Sequence, residues 1–203
     1  WDLNRTPGGS SGGASAAVAG GILPMANASD GGGSIRIPAA CTGLVGYKPT
    51  RGRTAMGPII GEGWGGQSIS HAVSRTVRDS AAMLDATTGP EPGDPYAPPH
   101  FPGKFLDEVG KAPAQLKVAM IPEKIGSGSY SPEIRAALEA TAQLMSDLGH
   151  HVEEATPEVD GLALQFASGA LLGANLALKV TEQLESLGRS LVDDDLEPGT
   201  RAL

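Results

Sequence analysis

The sequence predicts an α/β fold, and three local patterns carry that prediction. Residues 116–121, 131–149 and 152–155 read as strand, capped helix and strand, the βαβ signature. Residues 76–86 read as a capped amphipathic helix. Residues 14–28 combine a small-residue helix with a short apolar strand.

Taken in order, the chain opens with a polar, proline-ended loop over residues 1–7. Residues 8–13, Gly-Gly-Ser-Ser-Gly-Gly, form a glycine-serine loop. Residues 14–19 are nearly all small, which suits a short, closely packed helix that Gly20-Gly21 would end. Residues 22–28 supply Ile, Leu, Met and Ala for a buried strand, although Pro24 weakens its start. Residues 30–34, Asp-Gly-Gly-Gly-Ser, make a second glycine turn, and residues 35–40 read as the first turn of a helix. Pro38 is tolerated there because first-turn N–H groups have no partner within the helix. Residues 43–54 are turn-rich, and residues 57–66 form another glycine loop, carrying Trp64.

In the helix over 76–86, Thr76 and Asp79 make a capping-box pattern, with Val77, Ala81 and Leu84 on one face. Six prolines between residues 89 and 103 mark a surface excursion or linker. In the βαβ unit, Ser131 caps the helix, Pro132 takes its first position and Gly149 ends it. Ile134, Leu138, Thr141, Met145 and Leu148 share one face of that helix. Residues 162–187 read as a long apolar helix rich in Ala and Gly, with Gly169 and Gly173 as the places for a break. The acidic run Asp193 to Asp195 reads as a solvated turn.

Bulk properties narrow the function. At 203 residues the chain is long enough for one domain with a sizeable core. Glycine, at 29 of 203, is about twice its usual ~7% share, and much of the excess lies in the first forty or so positions. A net charge of −8 argues against a nucleic-acid or anionic-membrane partner. The single cysteine, Cys41, excludes an internal disulfide and a cysteine-rich zinc site, which fits a cytoplasmic location. No metal or cofactor is expected. Cys41 follows two alanines in a predicted helix and is expected to be buried and inert. No unbroken run of about 18 apolar residues appears, so no membrane span is expected. The chain begins at Trp1 without Met and ends at Leu203 without a closing element, so it reads as a piece cut at both ends.

The glycine-serine segments point to chemistry. A serine hydroxyl is a poor nucleophile until a base takes its proton, and the tetrahedral intermediate it forms needs hydrogen-bond donors. In the turn Asp30-Gly31-Gly32-Gly33-Ser34, three glycines leave successive N–H groups unobstructed, and Ser34 stands where a helix begins. A helix N-terminus favours developing negative charge. Nucleophile and oxyanion hole can therefore come from one turn. The base is not evident: His71, His100, His150 and His151 have no distinctive context and read as surface or structural histidines.

These residues carry a resemblance. Gly8-Gly9-Ser10-Ser11-Gly12-Gly13, followed by Ser29-Asp30-Gly31-Gly32-Gly33-Ser34-Ile35-Arg36-Ile37-Pro38-Ala39-Ala40, resembles the signature of the amidase signature family of serine hydrolases. Ser10 and Ser34 stand 24 positions apart, as that family's two catalytic serines do. Gly46-Tyr47-Lys48-Pro49-Thr50-Arg51-Gly52-Arg53 and Ser74-Arg75-Thr76-Val77-Arg78-Asp79 also fit.

The resemblance implies a mixed, twisted β-sheet core flanked by helices, of which this chain holds part. It implies a Ser–cis-Ser–Lys triad, with Ser34 as the acyl-ester nucleophile and Ser10 as the cis serine that relays the proton. The N–H groups of Gly31, Gly32, Gly33 and Ser34 then form the oxyanion hole. Its lysine base lies several tens of residues before the first serine. Only nine residues precede Ser10 here and none is Lys, so these 203 residues alone are expected to turn over no amide. Lys48 is not expected to substitute.

Around the triad, Asp30 is a candidate to orient the glycine turn and Arg36 to pair with a carboxylate; an ordinary structural ion pair explains either equally well. Ser11 is a candidate to hydrogen-bond near Ser10 or to stabilise its loop. Trp64 reads as a wall of an acyl or amine pocket or as a core-edge aromatic. The expected organisation is one amidase domain, with a catalytic signature core over 1–88, a proline-rich loop over 89–105 and a βαβ and helical part over 106–203.

The rival readings are weaker. Gly8-Gly9-Ser10-Ser11-Gly12 matches the G-x-S-x-G elbow of α/β-hydrolases, but the polar segment before it is not the apolar strand such an elbow needs. A phosphate-binding P-loop fails because no Gly-Lys-Ser/Thr follows the glycines. A catalytically inactive amidase-like binding or scaffold protein, and an amidotransferase A-type subunit, are the alternatives. The serine turn and Glu91-Pro92-Gly93-Asp94-Pro95-Tyr96 are more similar to bacterial amidases near the 6-aminohexanoate-cyclic-dimer hydrolases than to amidotransferase subunits. The expected partner is a small-molecule carboxamide substrate, and a homodimer is the expected assembly.

Overall fold

A computed structural model describes residues 2–58, 60–123 and 129–201. Trp1 of the opening loop, Ile59 of the 57–66 loop and the last two residues, Ala202 and Leu203, lie outside the described residues. The chain divides into two compact units, Trp1–Lys111 and Ala112–Leu203. Both mix helices with small sheets, the α/β class that the sequence predicts.

The first unit contains α1 (Gly12–Ala19), β1 (Met25–Asp30), α2 (Arg36–Thr42), β2 (Val45–Gly46), β3 (Ile69–Ser74), α3 (Val77–Thr87) and α4 (Phe105–Glu108). Its sheet has the order β1-β3-β2, antiparallel throughout, with Met25 opposite Ser74 and Asp30 opposite Ile69. Val18 of α1, Ala28 of β1, Ile35 and Ala39 beside and within α2, and Val73 of β3 form the core. Burying Val18, Ile35 and Val73 completely stabilises the unit by roughly 1.5–3 kcal/mol per side chain. This cluster sits under the glycine turn and anchors it through Ile35, the residue after Ser34.

Strands β1 and β3 depart from expectation. β1 runs three residues later than the sequence suggests at its start, because Pro24 cannot serve a sheet ladder and Gly20-Gly21 loosens the entry. The shift matters. Within β1 the inward positions are Ala28 and Asp30, so the pleat itself drives the Asp30 carboxylate into the interior. β3 is absent from the sequence reading. Its segment, Ile-Ser-His-Ala-Val-Ser, has no apolar alternation, yet it is the central strand and almost wholly buried. Two of its polar groups are matched internally: Ser74 Oγ donates to the Thr76 carbonyl, and the Ser70 carbonyl accepts from Thr54 Oγ1.

α3 begins as read, with the Thr76 side chain accepting from the Asp79 N–H at 3.0 Å. The proline-rich segment is fastened down rather than free. Asp94 accepts from the Gly57 and Glu91 N–H groups, Tyr96 donates to Glu62, and Arg53 reaches the Pro99 carbonyl. Asp85 of α3 accepts from the N–H groups of Phe105 and Leu106 and so starts α4, a helix the sequence did not announce.

In the second unit, β4 (Lys117–Met120) and β5 (His151–Glu154) pair in parallel, with α5 (Pro132–Asp147) between them. This is the expected βαβ unit. The inward strip of α5 is Leu138, Ala142 and Met145, half-buried, while Ile134 and Leu148 are exposed, since the two-stranded sheet is too narrow to cover the whole face. The Ser131 side chain makes no capping hydrogen bond.

α6 (Gly161–Leu187) is continuous, so neither Gly169 nor Gly173 breaks it. Each glycine costs about 1 kcal/mol, which the Ala- and Leu-rich remainder and two caps outweigh. Asp160 caps its start through the Ala163 N–H, and Gly188 ends it with left-handed backbone. By length and composition alone, α6 is long and apolar enough to cross a membrane. A core helix of a soluble protein meets the same criterion. Asp193–Asp195 forms a 3-10 turn that Arg189 and Arg201 grip, where the sequence suggests only a solvated bend. A short helix, α7 (Pro198–Arg201), follows.

Candidate active site

The two serine clusters meet in the first unit. The Ser11 N–H donates to the Ser34 carbonyl at 3.3 Å. The Ser11 hydroxyl donates to the Ser29 carbonyl and accepts from the Ser29 N–H, both at 3.3 Å. Ser11 thereby fastens the first loop to the end of β1 and to the second turn. The peptide bond between Gly9 and Ser10 is cis. Gly8 has a φ of +79°, and a side chain there would press on Ile37, Pro38 and Cys41, so glycine lets the loop lie against α2. Ser10 is exposed, and Ser34 is half-buried at the end of the turn.

Asp30 organises that turn from beneath. Fully buried, its carboxylate accepts from the backbone N–H groups of Gly33 at 2.7 Å, Ile35 at 3.2 Å and Arg36 at 3.3 Å. The Arg36 guanidinium adds a bidentate pair at 2.9 Å to each oxygen. Burial alone would raise the carboxyl pKa, but the Arg36 and backbone hydrogen bonds outweigh it and hold Asp30 far below the usual carboxylate range. The carboxylate that Arg36 pairs with is thus that of Asp30, which also holds the turn through its backbone N–H groups.

This arrangement divides the turn's N–H groups. The Gly33 N–H, one of the four groups expected at the oxyanion hole, donates to Asp30, as do those of Ile35 and Arg36 where α2 begins. The N–H groups of Gly31, Gly32 and Ser34 meet no protein acceptor among the described residues. Gly33 has a φ of +119°, and a side chain there would run into Ile37, so glycine is required at that position.

Trp64 lies against this turn. A Cβ added to Gly31 would come within 2.6 and 2.7 Å of its ring atoms Cε3 and Cζ3. The other candidates fall elsewhere. Lys48 Nζ donates to the Pro49 carbonyl. Cys41 is exposed, not buried, because α2 turns Pro38, Ala39 and Thr42 inward. His150 Nδ1 accepts from the Leu116 N–H, while His151 lies 3.6 Å from Glu153, and His100 is exposed. Among the described residues no group of three or more His, Cys, Asp or Glu side chains is placed to hold a metal ion.

His71 is structural. It is buried in β3, its Nε2 lies 3.0 Å from Ser80 Oγ, and Tyr47 packs edge-on against its ring. Burial lowers its pKa, and the charged ring would carry an N–H at Nδ1, which has no partner among the described residues. The unfolded chain begins to protonate this residue near pH ~6.5 while the folded chain does not, so stability falls as pH drops through that value and levels off only below the depressed folded pKa. Urea unfolding across this range is expected to show that decline, and His71→Gln is expected to flatten it. An identical slope in the variant would contradict this account.

Comparisons with known proteins place the chain in a family. The amidase family pattern matches residues 1–197. The chain belongs to the amidase family. It is 37% identical, over 202 residues, to a 6-aminohexanoate-cyclic-dimer hydrolase of Pseudomonas sp. (strain NK87), an alignment covering 97% of this chain and 41% of that protein. Its fold matches the solved structure of 6-aminohexanoate cyclic dimer hydrolase complexed with substrate at a TM-score of 0.89 and 35% identity, covering 100% of this chain and 43% of that one. A bacterial aryl acylamidase of the amidase signature family matches at a TM-score of 0.84 and 29% identity, covering 99% and 42%. The chain thus spans about two-fifths of the length of these relatives.

Proposed function

We propose that the whole protein is an amidase that cleaves the C–N bond of small linear or cyclic carboxamides through an acyl-Ser34 intermediate. The observation that supports this reading most is the joining of the two serine loops, with Ser11 hydrogen-bonded to both Ser29 and Ser34 and Ser10 beside it in sequence. Ser34 Oγ attacks the carbonyl carbon while its proton passes by way of Ser10 Oγ to a lysine amine. That lysine is the member of the triad that the family resemblance supplies, and Lys48, whose Nζ donates to the Pro49 carbonyl, is not assigned to the role.

The N–H groups of Gly31, Gly32 and Ser34 receive the oxyanion, each such donor being worth roughly 10²–10³ in rate. As the tetrahedral intermediate collapses, the C–N bond breaks and the amine leaves with the relayed proton. Water then attacks acyl-Ser34 and releases the carboxylic acid. The net charge of −8 supports a small-molecule partner over a nucleic acid.

The test is labelling of the whole protein with an alkyl ethoxy-fluorophosphonate, followed by peptide mapping. Ser34 Oγ displaces fluoride from phosphorus, and the adduct is expected on Ser34. An adduct on Ser10 instead, or none at all, would favour the inactive scaffold.

A further inference from the structure

We infer that Trp64 is a positioning residue for the oxyanion turn: its indole sets the Gly31 peptide, and Gly31 is glycine because of that ring. The inference rests on the proposed amidase reading. The φ of Gly31 lies outside the left-handed region, so its backbone suits any L-residue. Only space forbids a side chain there. A Cβ would sit 2.6 and 2.7 Å from the Trp64 ring and 3.4 Å from Ser68 Cβ, and only the ring distances are impossible.

The ring is held in place by its own loop. Trp64 has a φ of +54°, the one positive value for a non-glycine residue among those described, and Gly65 and Gly66 continue the left-handed path at +61° and +77°. The Gln67 N–H closes on the Trp64 carbonyl at 3.3 Å, and the Ser68 N–H closes on Gly63 at 3.0 Å. The bridge between Gly63 and Ser68 leads directly into β3, where Ile69 stands opposite Asp30. Turn and ring are thus carried by neighbouring strands of one sheet. Asp30 fixes the Gly33 side of the turn, while nothing but Trp64 presses on the Gly31 side among the contacts within 3 Å. Trp64 remains 36% exposed, so the ring is a flat surface at the turn and not a core residue.

The test measures the rate and affinity terms of alkyl ethoxy-fluorophosphonate labelling on Ser34 in the whole protein, with a thermal melt for each variant. Gly31→Ala is expected to lower the maximal labelling rate about 10²-fold, because the Cβ displaces the turn donors. Trp64→Ala lowers it about tenfold with the affinity term within about threefold, a loss of positioning and not of binding. Trp64→Phe, which keeps a ring, labels near the wild-type rate.

The decisive variant is the double one. With the ring gone, the added methyl group fits, so Gly31→Ala with Trp64→Ala is expected to label about tenfold faster than Gly31→Ala alone. A double variant no faster than Gly31→Ala overturns the inference, as does a Trp64→Ala rate equal to wild type. If Gly31→Ala does not fold, Trp64→Ala against Trp64→Phe decides, and equal rates overturn it. Wild-type protein that is not labelled on Ser34 overturns the amidase reading together with this inference. Normal wild-type labelling beside indifferent Trp64 variants overturns this inference alone.

Discussion

Replacing Ser34 with alanine is expected to reduce amide hydrolysis by the whole protein at least about 10⁴-fold in kcat, without unfolding it. In the proposed mechanism Ser34 Oγ is the attacking atom, so without it the acyl-enzyme cannot form. The fold is expected to survive because Ser34 Oγ makes no hydrogen bond among the described residues, and the anchoring contacts belong to its backbone and to Ile35. Steady-state kinetics with a p-nitroanilide, together with a urea melt, check both halves. Activity within tenfold of wild type would show that another group attacks the carbonyl.

Asp30→Asn is expected to lower unfolding free energy by about 3 kcal/mol, the scale for breaking a buried charge pair, and to abolish Ser34 labelling. The substitution preserves shape but places an NH2 group against the Arg36 guanidinium and the N–H groups of Gly33, Ile35 and Arg36, so donors face donors. A pH series isolates the charge. The folded pKa of Asp30 is depressed, so its stabilisation is complete above the unfolded value of ~3.9 and is lost as pH falls below it. Wild type is expected to show that acid loss and Asp30→Asn is not. Equal stability of the two proteins at neutral pH would refute the assigned role.

Much of the site was legible in the chain because its signals are local. Glycine runs, the spacing of Ser10 and Ser34, and the Thr76–Asp79 cap are each read from residue type and order, and the corresponding loops and α3 formed where they were expected. β3 was not legible. A central strand buried on both faces carries no apolar alternation when its polar groups find partners from distant elements, as Thr54 and Ser80 do for Ser70 and His71. The proline-rich segment misled for a related reason. Its composition signals an excursion, but the groups that fasten it lie 34 to 46 residues away along the chain.

By itself the sequence determined the α/β class and the family, since those depend on residue type and order. Tertiary structure decided which turn donors stay free, because that depends on where the Asp30 carboxylate lands. The pleat of β1, pinned by its pairing with β3, turns Asp30 inward beneath Gly33 and α2. The same pairing brings Trp64 onto Gly31. A three-stranded register, set by long-range hydrogen bonds, cannot be read from neighbours in sequence, and it is what converts a glycine-serine string into a shaped turn.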